Sequence, residues 1–250
     1  MSVVSDSNNK DKADSTSNKK KRNCITVIGD FFLDIQTDGL KKLPGWNEDN
    51  IVPSISLLPG GSAGNMARQM ANFVGLNQEV YLISCIGNDR NGKLLLSMVS
   101  NEHCHFDRVV SLNTYCTPTC IVLSSAVLKE RTFVTCNNAL NCLCTALLLS
   151  PTEVKKSPTE QSEVETQSLD VRQAMNIPNL SHIHFGGYYN SIGLHKDKHF
   201  LKFVSKCKEQ SITLSLDTQT PLTDIVQQGG THPVMKLLFE LLIWVKNKQI

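Results

Sequence analysis

Apolar and polar positions along the chain alternate between short β-branched runs and amphipathic stretches of helical period. Order is expected to begin at Cys24-Ile25-Thr26-Val27-Ile28-Gly29, a run that reads as a strand buried on both faces. Gly29-Asp30 ends it, and Asp34 follows at its carboxyl end. Between Asp34 and Gly60 the chain carries Gly39, Pro44, Gly45, Pro53 and Pro59, with a short alternating piece from Ile51 to Leu57, which fits a small excursion of edge strands better than a helix. Met66, Ala67, Met70, Ala71 and Val74 then form an i, i+1, i+4, i+5, i+8 stripe, predicting a helix that lays this face on a sheet and stops at Gly75. Val80 to Ile86 reads as the next buried strand and Lys93 to Val99 as the next helix, reached through a turn from Gly87 to Gly92. This βαβα rhythm implies a parallel sheet.

Val109-Val110, Thr119 to Ser125 and Arg131 to Cys136 are β-prone pieces with no helix between them, and they predict antiparallel pairing in a small separate sheet. The helical rhythm then resumes. His182 to Phe185 reads as a strand turning at Gly186-Gly187, His199 to Cys207 as a helix, Ile212 to Leu216 as a strand ending in Asp217, and Leu237 to Val245 as a last apolar helix. Two stretches break the pattern. Residues 1–23 are rich in Ser, Asn, Asp and Lys, and residues 150–173 in Ser, Thr, Glu, Gln and Lys. Neither buries enough apolar surface to offset the entropy of ordering, so a disordered tail and a mobile insertion are expected around one domain over 24–250.

Composition narrows the picture. At 250 residues and 40% hydrophobic, the chain has the length and content for one α/β domain with a substantial core. A formal charge of +2 gives no bulk attraction to nucleic acid or anionic membrane, and neither is expected as a partner. No run of ~18 apolar residues predicts a spanning helix. Nine irregularly spaced cysteines fit buried thiols in a reducing, cytoplasmic setting better than a disulfide framework, and none repeats with the paired spacing of a zinc site. Lys19-Lys20-Lys21-Arg22 reads either as a nuclear address or as a solvated charge run.

The densest chemistry lies in Gly60-Gly61-Ser62-Ala63-Gly64-Asn65, where glycines permit close backbone approach and a helix start adds unpaired N–H groups. Small residues followed by the Asn65 amide suit a polyhydroxylated ligand, a sugar or nucleoside, and Asp34 lies at the strand end where ligands bind in open α/β sheets. Asp34 as the cap of a local turn is the plainer alternative. A dinucleotide site is disfavoured, because the block lacks G-x-G-x-x-G and does not directly follow the first strand. His182, His184 and His195 read as satisfied core or surface histidines, Arg131 as a surface residue of a strand, and Tyr188-Tyr189 as packing.

The order of these features resembles the ribokinase/PfkB family of sugar kinases. The resemblance runs from about Cys24 to about Leu242. It is carried by Gly29-Asp30 with Asp34, the Gly60-Gly61 to Asn65 block, Ile86-Gly87-Asn88-Asp89 with Gly92, Arg131-Thr132-Phe133, Phe185-Gly186-Gly187-Tyr188-Tyr189 and Leu214-Ser215-Leu216-Asp217. It implies a ribokinase-like α/β fold, a central, mostly parallel sheet flanked by helices with a small β lid. It also implies ATP-dependent phosphorylation of a sugar hydroxyl, with ATP and Mg²⁺ as cofactors.

By the same resemblance, Asp34 accepts sugar hydroxyls, Gly60 and Gly61 form the hinge and floor of the sugar site, and Asn65 contacts another hydroxyl. Asp217 is a further candidate facing the phosphate-transfer region, and Gly87 and Gly92 are structural turn residues. A homodimer joined through the lids is a candidate assembly. The family's carboxyl-terminal Asp-Thr-x-Gly-Ala-Gly-Asp stretch, whose last Asp is the general base, does not occur, nor does its Asn-x-x-Glu element. The expectation is a chain holding the sugar half, with the general base and most of the ATP half beyond Ile250. The alternative is a non-catalytic sugar-binding or lid-dimerising protein, or an inactive fragment.

Overall fold

A computed structural model describes residues 23–125, 127–145 and 176–219. The expected tail with its Lys19 to Arg22 run lies outside the described residues, Asn23 excepted, as do the expected insertion over 150–173 and the expected helix over 237–245.

β1 (Cys24–Gly29) is the middle of a five-stranded sheet, flanked by β4 (Glu79–Gly87) and then β5 (Val109–Leu112) on one side and by β8 (Leu180–Gly186) and then β9 (Thr213–Leu216) on the other. Every pairing in it is parallel. The β-branched run of β1 is needed there, because helices cover both faces. α1 (Ser62–Val74) and α2 (Arg90–Val99) pack one face through Val27, Val80, Leu82, Ala63, Ala67, Ala71 and Leu95. The other face buries Ile28, Ile83, Ile183 and Phe185 against α3 (Ile192–His195) and α4 (Phe200–Glu209), where Phe185 meets the rings of Phe200 and Phe203 edge-on.

The second sheet is the lid, four strands in the order β3 (Ser54–Gly60), β2 (Phe32–Leu40), β6 (Thr119–Ser125), β7 (Arg131–Cys136). Its small core is Phe32, Cys120, Val122 and Leu140.

The structure corrects the strand assignments in two places. Val109-Val110 belongs to the main sheet, paired parallel with β4 through the α2 crossover, and not to the lid. The lid itself is mixed: β2 pairs antiparallel with β3 and β6 antiparallel with β7, but β2 and β6 run parallel. The physical reason is that β2 and β6 both leave the carboxyl ends of parallel strands, so they depart in the same direction.

The helix stripe is corrected as well. α1 buries Ala63, Gly64, Ala67 and Ala71, while Met66 is 37% exposed. Small residues set the contact face because α1 lies close on the sheet, where a Cβ on Gly186 would come within 2.8 Å of the Ala63 backbone. Gly92 sits inside the first turn of α2 instead of in a preceding turn. Asp89 caps that helix, its carboxylate accepting the Gly92 N–H at 2.7 Å and both Thr117 donors, N–H at 2.9 Å and Oγ at 2.6 Å.

Candidate functional site

The carboxyl ends of β1, β8 and β9 meet the start of α1 and the root of the lid, the end of a parallel sheet where ligands bind in open α/β folds. Asp30 follows β1 and is 1% exposed. Its carboxylate accepts the Ala63 N–H at 2.8 Å and the Asn190 Nδ2–H at 2.8 Å, and its carbonyl accepts the Gly64 N–H at 3.0 Å. One residue thus joins β1, the first turn of α1 and the turn after β8. It also takes two of the helix-start N–H groups that the sequence offered to a ligand, so that expectation is corrected: Asp30 is the anion at this helix N-terminus. Burial pushes the Asp30 carboxyl up, the Ala63 and Asn190 bonds pull against it, and the charge of Asp217 adds to the upward push.

Asp34 lies in β2, three residues into the lid strand and not in a turn. It is half-buried, and among the described residues no donor reaches its carboxylate, so it caps nothing. Burial first and the Asp30 charge second raise its pKa from 3.8 to about 6, against the opposing pull of Arg131 on β7. Arg131 is itself exposed on the lid, its guanidinium 5.4 Å from the centre of the Phe133 ring.

Gly60 ends β3 opposite Phe32, and a Cβ built on it would overlap the Asp34 carboxyl group. Only glycine leaves that carboxylate its place. Gly61 is the N-cap of α1 with φ 87°, a left-handed value that glycine adopts without strain. Asp34, Gly60 and Gly61 are therefore brought together.

Asn65 and Asp217 stand differently. Asn65 is exposed one turn along α1, and its Oδ1 accepts from Arg68 Nη1 at 3.4 Å. Arg68 is held by Glu102 at 2.7 Å and donates to the Pro59 carbonyl at 3.1 Å, which fastens the end of β3 to α1. Asp217 accepts the Ser62 hydroxyl at 2.5 Å and Gln219 Nε2–H at 3.0 Å. Burial acts to raise its pKa, but the bonds from Ser62 and Gln219 outweigh it and hold the carboxyl below the usual range.

Sequence reasoning missed Asp30, Ser62 and Asn190 as members of this cluster. An acidic residue placed directly after the first apolar strand was the available signal for Asp30. Ser62 and Asn190 gave none.

The sequence profile of the pfkB family carbohydrate kinases matches residues 23–176. The chain belongs to that family. No curated protein sequence matches it significantly.

Among solved structures the PfkB chain is similar to the ribokinase of Cryptococcus neoformans var. grubii serotype A in complex with ADP, at 18% identity and TM-score 0.54, over 81% of this chain and 52% of that one. It is similar to Arabidopsis thaliana ribokinase complexed with ribose and ATP, at 17% identity and TM-score 0.52, over 80% and 54%. The nucleoside kinase of Methanocaldococcus jannaschii matches at 19% identity and TM-score 0.52, over 83% and 55%. At these identities the likeness is one of fold. The chain spans about half the length of the solved structures it matches. Among the described residues, no helix is long and apolar enough to cross a membrane.

Proposed function

We propose that the chain binds a sugar, or the ribose of a nucleoside, at Asp34, Gly60 and Gly61, as the sugar-binding part of an ATP-dependent kinase acting on a hydroxyl. The observation that carries this reading is the half-buried Asp34 carboxylate, which has no donor among the described residues and is given room only by Gly60. A desolvated acceptor without a partner is unfavourable unless a ligand supplies the donors, and a polyol supplies them. Asp34 accepts hydrogen bonds from one or two hydroxyls, Gly60 and Gly61 let the ligand approach the backbone, and Asp30 holds the floor in place from behind. Family membership points to phosphoryl transfer as the chemistry, with ATP as donor. Asn65 stands at the rim, and Asp217 borders the site through Ser62.

Mg²⁺ would neutralise phosphate charge in such a transfer. Among the described residues no three His, Cys, Asp or Glu side chains converge to hold a metal ion. A second reading, sugar binding without turnover, is favoured instead by the absence from these 250 residues of the Asp-Thr-x-Gly-Ala-Gly-Asp stretch that carries the family's general base. Calorimetry of the 250-residue chain with neutral pentoses, hexoses and nucleosides, followed by ADP release with each ligand found, separates the readings. Binding with turnover supports the kinase and binding alone supports the second reading. No heat with any member of the panel refutes both.

A further inference from the structure

β8 and β9 carry a run of polar side chains on the α1 face of the main sheet, and its hydrogen bonds have one consistent direction. Thr213 Oγ1 donates to the Ser181 carbonyl at 3.0 Å, so its single proton is committed. His182 Nδ1 lies 2.7 Å from that hydroxyl and must be the donor, Nδ1–H. A neutral imidazole protonated at Nδ1 offers a lone pair at Nε2, so Ser215 Oγ, 2.8 Å away, donates to it. The Ser215 proton is then committed too, and His184 Nδ1, 2.8 Å from the same oxygen, donates. Every proton is assigned back from one carbonyl group. His184 is left with a bare Nε2 lone pair, and that atom is buried without a hydrogen-bond partner. The sequence expectation of a satisfied histidine thus holds at Nδ1 and fails at Nε2.

The surroundings of His184 are mostly neutral. Its register partner on β1 is Val27, and that of His182 is Ile25. β9 contributes Thr213 and Ser215. Arg68, the charged residue of α1, is engaged by Glu102, and Asp30 is engaged by Ala63 and Asn190. His182 is the neighbouring titratable ring on β8. The carboxylate whose charge acts on His184 is Asp217, two residues beyond Ser215, and the same carboxylate holds the Ser62 hydroxyl at the start of α1.

We propose that His184 is a proton-operated switch on the Asp217 to Ser62 contact. A proton taken up at Nε2 makes an imidazolium on the strand next to Asp217, whose N–H donates to the Phe185 carbonyl at 2.8 Å. The new attraction competes for the oxygen that Ser62 uses and loosens the first residue of α1. Burial holds both imidazoles neutral near neutral pH, and Asp217 pulls His184 the other way. The switch is therefore set while His184 is neutral and is released only as pH falls below the ordinary imidazole value of 6.5.

Two-bond ¹H–¹⁵N correlation spectra of the labelled 250-residue chain test this through tautomer and midpoint together. The expected result is an Nδ1–H signature for His182 and His184 at pH 8, with the Ser62 amide resonance following the His184 titration on acidification. Asp217→Asn should lower the His184 midpoint. His184→Asn keeps an N–H donor near the Nδ1 position and should abolish the Ser62 response, whereas a response from Asp34 would survive it. An Nε2–H signature for His184 in the unaltered chain overturns the relay. A Ser62 titration that persists in His184→Asn, or a His184 midpoint indifferent to Asp217→Asn, overturns the switch.

Discussion

Replacing Asp34 by Asn should strengthen the fold and weaken the site at once. The carboxyl group rises from 3.8 to about 6 because burial, and then the charge of Asp30, disfavour its ionised form more than the Arg131 charge favours it, and no described hydrogen-bond donor reaches it. The unfolded chain therefore releases this proton more readily than the native one between pH 3.8 and about 6. Native stability falls as pH climbs through that window, and the full penalty stands above it. About two pKa units correspond to roughly 3 kcal/mol. Because the carboxyl is only half-buried, solvent screening reduces this to about 1 kcal/mol. Asp34→Asn removes the charge at constant shape, so urea unfolding followed by circular dichroism should show a gain of about 1 kcal/mol at pH 7.5 and none at pH 4.

Ligand binding should move the opposite way. A hydrogen bond to a charged group contributes about 1.5–3 kcal/mol, so the variant's dissociation constant for the best sugar should rise about tenfold or more. For the unaltered chain, affinity should fall as pH drops below about 6, where Asp34 takes up its proton. A variant less stable at pH 7.5 would mean that Asp34 is held by the protein, and an unchanged dissociation constant would remove it from the site.

Gly60→Ala should act through the same carboxylate: the new methyl displaces the Asp34 side chain, so calorimetric affinity drops about tenfold while urea stability changes by less than about 1 kcal/mol, because the displaced group is the flexible end of a side chain. Asp30→Ala leaves the Ala63 N–H and Asn190 amide without their acceptor, which should cost about 3 kcal/mol or more in urea unfolding. In the same variant the Asp34 titration, read by carboxyl carbon resonances, should move downward because a neighbouring charge is gone. Asp89→Ala removes the cap of α2 and the tie to Thr117, a loss of about 2 kcal/mol with sugar affinity unchanged. The Asp89 carboxyl is held below its ordinary value by those bonds although burial acts to raise it, so the stability it adds is present above pH 3.8 and lost as pH falls below that.

What the sequence disclosed and what it hid follow from range. β1, β4 and α1 are long, periodic and bounded by glycine, so their type and place could be read from local pattern alone. β5 could not, since four residues after an irregular stretch carry no mark of which sheet they join. The direction of β2 relative to β6 depends on where both strands leave the main sheet, a property of topology that no window of residues contains. Met66 was placed inward because helical period marks a face but not how near the neighbouring backbone lies, and here Gly186 brings Ala63 into the contact instead. At the site, Asp34 and the glycine block stood out by residue type. The pairs that assemble the remainder, Ser62 with Asp217 and Asp30 with Asn190, are 155 and 160 residues apart and made of ordinary polar residues. The tautomer of His184 depends on a chain of donors across two strands, legible only once β8 and β9 are in register.

The three carboxylates at this end of the sheet carry the same charge but are satisfied to different degrees, and the order of satisfaction indicates what the site accepts. Asp217 has donors from Ser62 and Gln219 and is held low; Asp30 has Ala63 and Asn190 and is still pushed up; Asp34 has none among the described residues and is pushed up to about 6. Unrelieved repulsion is therefore concentrated on the one group free to meet a ligand, at the junction of lid and sheet. A neutral polyol would bring only hydroxyls to that point and relieve it, so its binding would stabilise the fold by mass action and by offsetting that repulsion. An anionic sugar cannot do this. With a phosphate turned toward Asp34 it would add a third negative charge beside Asp30 and Asp34, with Arg131 as the opposing charge acting on Asp34. On the proposed reading, the acidic floor would sort ligands by charge as well as by hydroxyl pattern, and any phosphate the sugar carries or receives would lie at its other end, away from the lid strand that holds Asp34.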